Sequence, residues 1–96
     1  MPLTLTGAEA VIRWGYHVAC GVTSWTLTGD GGALTLSGSV VKADHYRMSQ
    51  RPLVFVVTRN GVTLRWPILE LQIAGASLSA TLGPKESADV LSVSQA

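Results

Sequence analysis

The densest run of chemically capable side chains lies between Lys42 and Pro52. Lys42-Ala-Asp-His-Tyr-Arg-Met-Ser-Gln-Arg51-Pro52 gathers Asp44, His45, Tyr46, Arg47, Gln50 and Arg51 in one stretch that has no strand pattern. Tyrosine offers a large, stiff contact area and arginine a forked set of donors, so the mixture suits recognition better than bond-making. Loops carried on rigid β scaffolds are where such groups tend to sit. These six residues are therefore the expected partner-binding set. The plainer alternative is a solvated loop or short helix whose Tyr46 and Met48 cap a core.

Catalytic patterns are weaker. His17 and Cys20 could form a nucleophile and base, but on a strand their odd separation points them to opposite faces. Cys20 then reads as a small core residue. Asp44-His45 has no serine or cysteine nucleophile nearby, and a triad could only be assembled from distant residues. Two histidines and one cysteine without C-x-x-C or H-x3-H spacing do not make a metal site. Gly29-Asp30-Gly31-Gly32 lacks the Lys-Ser/Thr and the following helix of a phosphate loop and reads as a hairpin turn. The expectation is a non-enzyme without cofactor or metal, and with no small-molecule substrate in evidence.

Charge gives the alternative function. The net charge is only +1. Between residues 42 and 65, however, Lys42, Arg47, Arg51, Arg59 and Arg65 stand against Asp44 alone, a basic stretch that could steer an anionic partner. Arg13-Trp14 and Arg65-Trp66 set a cation beside an aromatic, as in small barrels that stack single-stranded nucleic acid. Trp14 and Trp66 share parity with Ile12 and Leu64, which puts the tryptophans inside and leaves the arginines outside alone.

The elements that must position these groups are strands. Residues 53–82 hold four short apolar segments punctuated by Asn60-Gly61, Pro67 and Ala74-Gly75. Asn-Gly between β-favouring runs signals a type I′ hairpin, which needs positive φ at both turn residues. Leu53–Val57 is apolar on both parities and reads as a central strand covered on both sides. Pro67 is expected to bend or break an edge between Val62–Trp66 and Leu69–Ile73, and Leu78-Ala80-Leu82 to pair back.

Upstream, Ile12, Trp14, Tyr16, Val18, Cys20 and Val22 alternate with polar or small residues, a strand bent or broken at a glycine. Thr6-x-x-Glu9 resembles a capping box and leaves room for one or two helical turns up to about Val11. Thr23–Thr28 places Trp25 and Leu27 inward, and Ala33–Lys42 continues the alternation. A Leu/Trp-Thr-Leu-Thr/Ser-Gly pattern recurs at Leu3–Gly7, Trp25–Gly29 and Leu34–Gly38. Its spacing is irregular, so these are read as strand ends meeting turns rather than a solenoid.

The chain is thus expected to be all-β: a small antiparallel barrel or sandwich of about six to seven short strands, with Trp14, Trp25 and Trp66 in the core. A one- to two-turn helix is allowed near the N-terminus or in the 43–51 segment. Residues 1–83 form one domain and 84–96, Ser-rich after Gly83-Pro84, a mobile tail. At 96 residues the chain can bury one core without a metal or disulfide, and the single cysteine does not indicate an oxidising compartment.

The opening residues lack a basic n-region and an apolar h-region. The longest apolar run, Leu53–Val57, is far short of the roughly 20 residues of a spanning helix. The reading is a cytoplasmic protein, or one assembled into a virion if phage-derived, with no membrane partner. With 47% apolar and 14% charged residues, the functional expectation is a phage-like protein–protein interaction or assembly module that binds a protein partner or self-associates. A nucleic-acid-binding barrel using residues 42–65 is the alternative.

Overall fold

The computed structural model describes residues 3–29 and 34–83. Its elements are β1 (Leu3–Trp14), β2 (His17–Gly29), β3 (Leu34–Val41), α1 (His45–Met48), β4 (Val54–Arg59), β5 (Val62–Ala74) and β6 (Ser77–Leu82). All neighbours are antiparallel, and the sheet closes on itself in the order β1-β2-β3-β6-β5-β4, with β4 returning to β1. The molecule is a small all-β barrel with one short helix in the 43–51 segment. Residues 30–32 of the expected Gly29–Gly32 turn and the whole of the expected 84–96 tail lie outside the described residues.

Six strands form, within the expected six to seven, and β1, β2 and β5 are longer than expected, at 12, 13 and 13 residues. β2 runs through Thr23 without a break, because a register shift against β3 between Thr23 and Thr26, with Ser24 at φ 48°, bends it instead. β5 runs through Pro67, whose ring does not break the ladder. The Pro67 carbonyl accepts from Gly83 N, so its missing N–H faces a point just past the end of β6, while Ile68 N donates to Leu53 O at 2.9 Å. The helix allowed after Thr6 does not form. Thr6 and Glu9 stand opposite Thr26 and Thr23, and the β2 ladder gives this segment the backbone bonds a lone turn could not sustain.

The turns follow local rules. Asn60 and Gly61 both have positive φ, 52° and 77°, as a type I′ hairpin requires. Gly15-Tyr16 and Gly75-Ala76 are two further two-residue turns, each opened by a glycine at positive φ. The first splits the Ile12–Val22 alternation, so Tyr16 and Val18 end up exposed while Cys20 and Val22 are buried.

The core is built on Trp25, Phe55 and Trp66. Phe55 meets Trp25 edge-on at 5.3 Å between centroids and lies 6.0 Å from Trp66. Trp25 and Trp66 are 1% and 2% exposed. Two glycines of the recurring pattern make room here and are not strand ends. A Cβ on Gly7 would stand 2.4 Å from the Trp25 ring, and one on Gly38 would stand 3.1 Å from the Trp25 Cα. The three Thr-rich segments lie side by side, giving the outer wall a row Thr4–Thr28–Thr35–Thr81 across β1, β2, β3 and β6.

β4 is the buried strand expected at 53–57. Leu53, Phe55 and Val57 join the core, while Val54 and Val56 are buried on the other side. That outer side is flanked in register by Arg13 and Pro67 for Val54, and by Val11 and Arg65 for Val56. The arginines expected outside are therefore there, with stems lying along apolar surface.

Candidate partner-docking end

β1 and β2 meet at Gly15-Tyr16, and the β3–β4 connection returns to the same end of the barrel. Asp44 N donates to Ala19 O at 2.8 Å, which ties the connection to β2. Met48 turns inward and joins the core, leaving the rest of α1 outside.

The polar groups of 42–52 are mostly spent on holding the loop. Asp44 caps α1: its Oδ1 accepts from Arg47 N at 3.1 Å, and its Oδ2 lies 3.6 Å from Arg47 Nη1. Gln50 Nε2 donates to Tyr46 O and to Ser49 Oγ, each at 3.3 Å. Arg51 Nη1 donates to Met48 O at 3.1 Å and to Gln50 O at 2.6 Å. Lys42 and His45 are exposed. A loop whose donors and acceptors are satisfied internally loses little entropy on binding.

The aromatic groups of this end face out. Tyr46 is 67% exposed and meets the Trp14 ring edge-on at 6.0 Å. His17, opposite Trp14 in the hairpin, lies 6.2 Å from it. Tyr16 at the turn is 80% exposed. Trp14 is only half-buried against the core, not the core residue expected, because the pairing of β1 with β2 ends at its pair with His17. The partners that sequence reasoning missed are Trp14, Tyr16 and His17. The signal for them was Trp14-Gly15-Tyr16-His17 itself, a glycine turn between aromatics.

No protein-family model matches the chain, nor does any curated protein or solved structure. The site must be read from its own chemistry.

The five cations of residues 42–65 are not brought together. Lys42, Arg47 and Arg51 belong to the α1 end. Arg59 lies at the other end of β4, about 17 Å away at a strand's rise per residue. There its Nη2 donates to Thr6 O, and its guanidinium carbon lies 5.6 Å from the Trp25 ring centroid. Arg65 sits on the outer wall opposite Val56.

His17 and Cys20 are likewise apart: His17 is exposed and Cys20 is fully buried. Burial pushes the Cys20 thiol up from 9.0 to about 11, which holds it in the neutral, unreactive form at neutral pH. Among the described residues no three His, Cys, Asp or Glu side chains cluster to hold a metal. No helix among them is long and apolar enough to cross a membrane. A shallow concavity of about 420 Å³ on the outer wall is lined by Glu9, Val11, Arg13, Thr23, Val56 and Thr58 among others.

Proposed function

We propose that the barrel is a non-catalytic protein-interaction or assembly module that docks a protein partner through the end built by α1 and the β1–β2 hairpin. The observation that carries this reading is the exposure of Tyr46 and Tyr16 beside a half-buried Trp14, on backbone already fixed by Asp44, Gln50 and Arg51. Exposed aromatics on a pre-organised loop are suited to contacts of high area and low entropy cost. Such a module would act in the cytoplasm, or in the virion for a phage-borne chain.

The test is affinity capture from the native host's lysate, with and without nuclease, using wild type and Tyr46→Ala. A protein that survives nuclease and is lost with Tyr46→Ala supports the reading. Capture that nuclease abolishes moves support to nucleic acid held by Lys42, Arg47 and Arg51. Equal capture by Tyr46→Ala removes this end of the barrel from consideration.

A further inference from the structure

The barrel closes unevenly around β4. This strand has six residues and lies between β1 with twelve and β5 with thirteen. β1 pairs with β4 only from Val11↔Val56 to Arg13↔Val54, so Leu3–Ala10 has a strand partner only on the β2 side among the described residues. β5 leaves β4 after Val54↔Pro67, and beyond the Ile68–Leu53 bond its segment Leu69–Ala74 pairs, among the described residues, only with β6. Two open edges thus overhang opposite ends of one short strand.

Both edges present usable backbone groups. In an antiparallel strand the N–H and C=O of one residue point together to one side, and those of the next residue to the other. Thr6 O faces the seam, since Arg59 donates to it there, so Thr4 faces the seam too. On β5 the two-residue turn makes Ala74↔Ser77 the closing pair, so Gln72 faces β6 while Leu71 and Ile73 face the open side.

The side chains are complementary. The β5 overhang exposes Leu69 at 59% and Ile73 at 42%, next to a concavity lined by Ile73 and Leu78. An exposed apolar edge of this kind is a template for strand addition. β1 alternates leucine with threonine from Leu3 to Thr6, and up to Ala8 it carries no charge or proline that would discourage pairing. The one charge on the β5 overhang is Glu70, exposed, while the β1 edge has Arg59 beside Thr6 and Glu9 just past the Leu3–Ala8 run. Pairing β5 with itself would bring no cation to Glu70, and pairing β1 with itself would leave Leu69 and Ile73 in water.

We infer that copies of this chain join head to tail, the β1 edge Leu3–Ala8 of one copy pairing with the β5 edge Leu69–Ala74 of the next. Arg59 then turns from its own Thr6 toward the neighbour's Glu70. The contact is heterologous, so it builds a ring or an open filament rather than a two-fold dimer. It uses neither Tyr16 nor Tyr46, so it can fail while the docking end stands, and the reverse.

Analytical ultracentrifugation of the full chain over a concentration series tests this. Wild type should grow beyond dimers. Thr6→Pro and Ile73→Pro each remove an N–H from an open edge without touching the ladder to β2 or β6, so each alone should be monomeric with unchanged circular dichroism. Mixed, they should form a 1:1 pair and nothing larger, because each keeps the edge the other lacks. Monomeric wild type, a strict dimer, or folded proline variants that still assemble alone or fail to pair would overturn the inference. If either proline variant misfolds, Glu70→Arg decides. It changes an exposed side chain and should weaken assembly severalfold, whereas unchanged assembly would also overturn the inference.

Discussion

Trp25 and Trp14 lie on paired strands of one barrel and have opposite fates. Trp25 lies in the middle of β2, with Gly7 opposite it on β1 and Phe55 5.3 Å away between centroids. Trp14 forms the last pair before a turn, with His17 opposite and Tyr46 leaning on it from a neighbouring loop. Strand parity alone puts both inside. What separates them is whether the paired strands β1 and β2 continue past the residue. Where they do, an indole holds the fold together. Where they stop, the same side chain becomes the floor of a surface that other aromatics extend.

Truncating the tryptophans should break this comparison most visibly if it is wrong. Trp25→Ala and Trp66→Ala should each cost about 3–5 kcal/mol in urea unfolding, and Trp14→Ala less, because part of its surface is already in water. Equal losses at Trp14 and Trp25 would make both core residues and remove the distinction.

Next in size is Gly7→Ala. Strand propensity predicts a gain for replacing a mid-strand glycine, but the added methyl would overlap the Trp25 ring and should destabilise by about 1–3 kcal/mol. A stabilised variant would mean that the Trp25 side of the barrel is loosely packed.

The buried thiol sharpens the contrast through pH. Burial disfavours the Cys20 thiolate, so its folded pKa, about 11, lies above its unfolded value of 9.0. The stability this group contributes is complete below pH 9 and is lost as pH rises to about 11. Unfolding curves at pH 7, 9 and 11 should therefore fall more steeply for wild type than for Cys20→Ala. The smallest of these effects is expected at the loop. Asp44→Ala removes the α1 cap and should cost about 1 kcal/mol, read as a small drop in melting temperature.

Much of the fold was legible because its signals are local. Asn60-Gly61 dictates its own turn, Leu53–Val57 carries burial on both parities, and Trp25-Thr-Leu alternates cleanly. The misses came from partners distant in sequence. Thr6-x-x-Glu9 is a good local cap pattern, overruled only because Thr23 and Thr26 lie across from it. Pro67 looks like a break until Gly83, far along the chain, is seen to occupy the side where its N–H is missing. Gly7 and Gly38 look like punctuation unless one knows that Trp25 lies between them. The α1 segment was recognisable from its composition. Its union with Trp14, Tyr16 and His17 was not, because contacts between different connections leave no trace in either one's local pattern.

The central claim is that the α1 end serves recognition and contributes little to the fold. The direct measurement compares wild type with the Tyr46→Ala, Arg47→Ala double variant, for unfolding free energy and for partner capture between 50 and 200 mM salt. The account predicts stability within about 1 kcal/mol of wild type, since the change touches only exposed contacts and one surface ion pair. It also predicts that capture by the double variant is lost, and that wild-type capture changes little with salt, as an aromatic-centred protein contact should. A stable double variant that captures its partner as well as wild type does would contradict it.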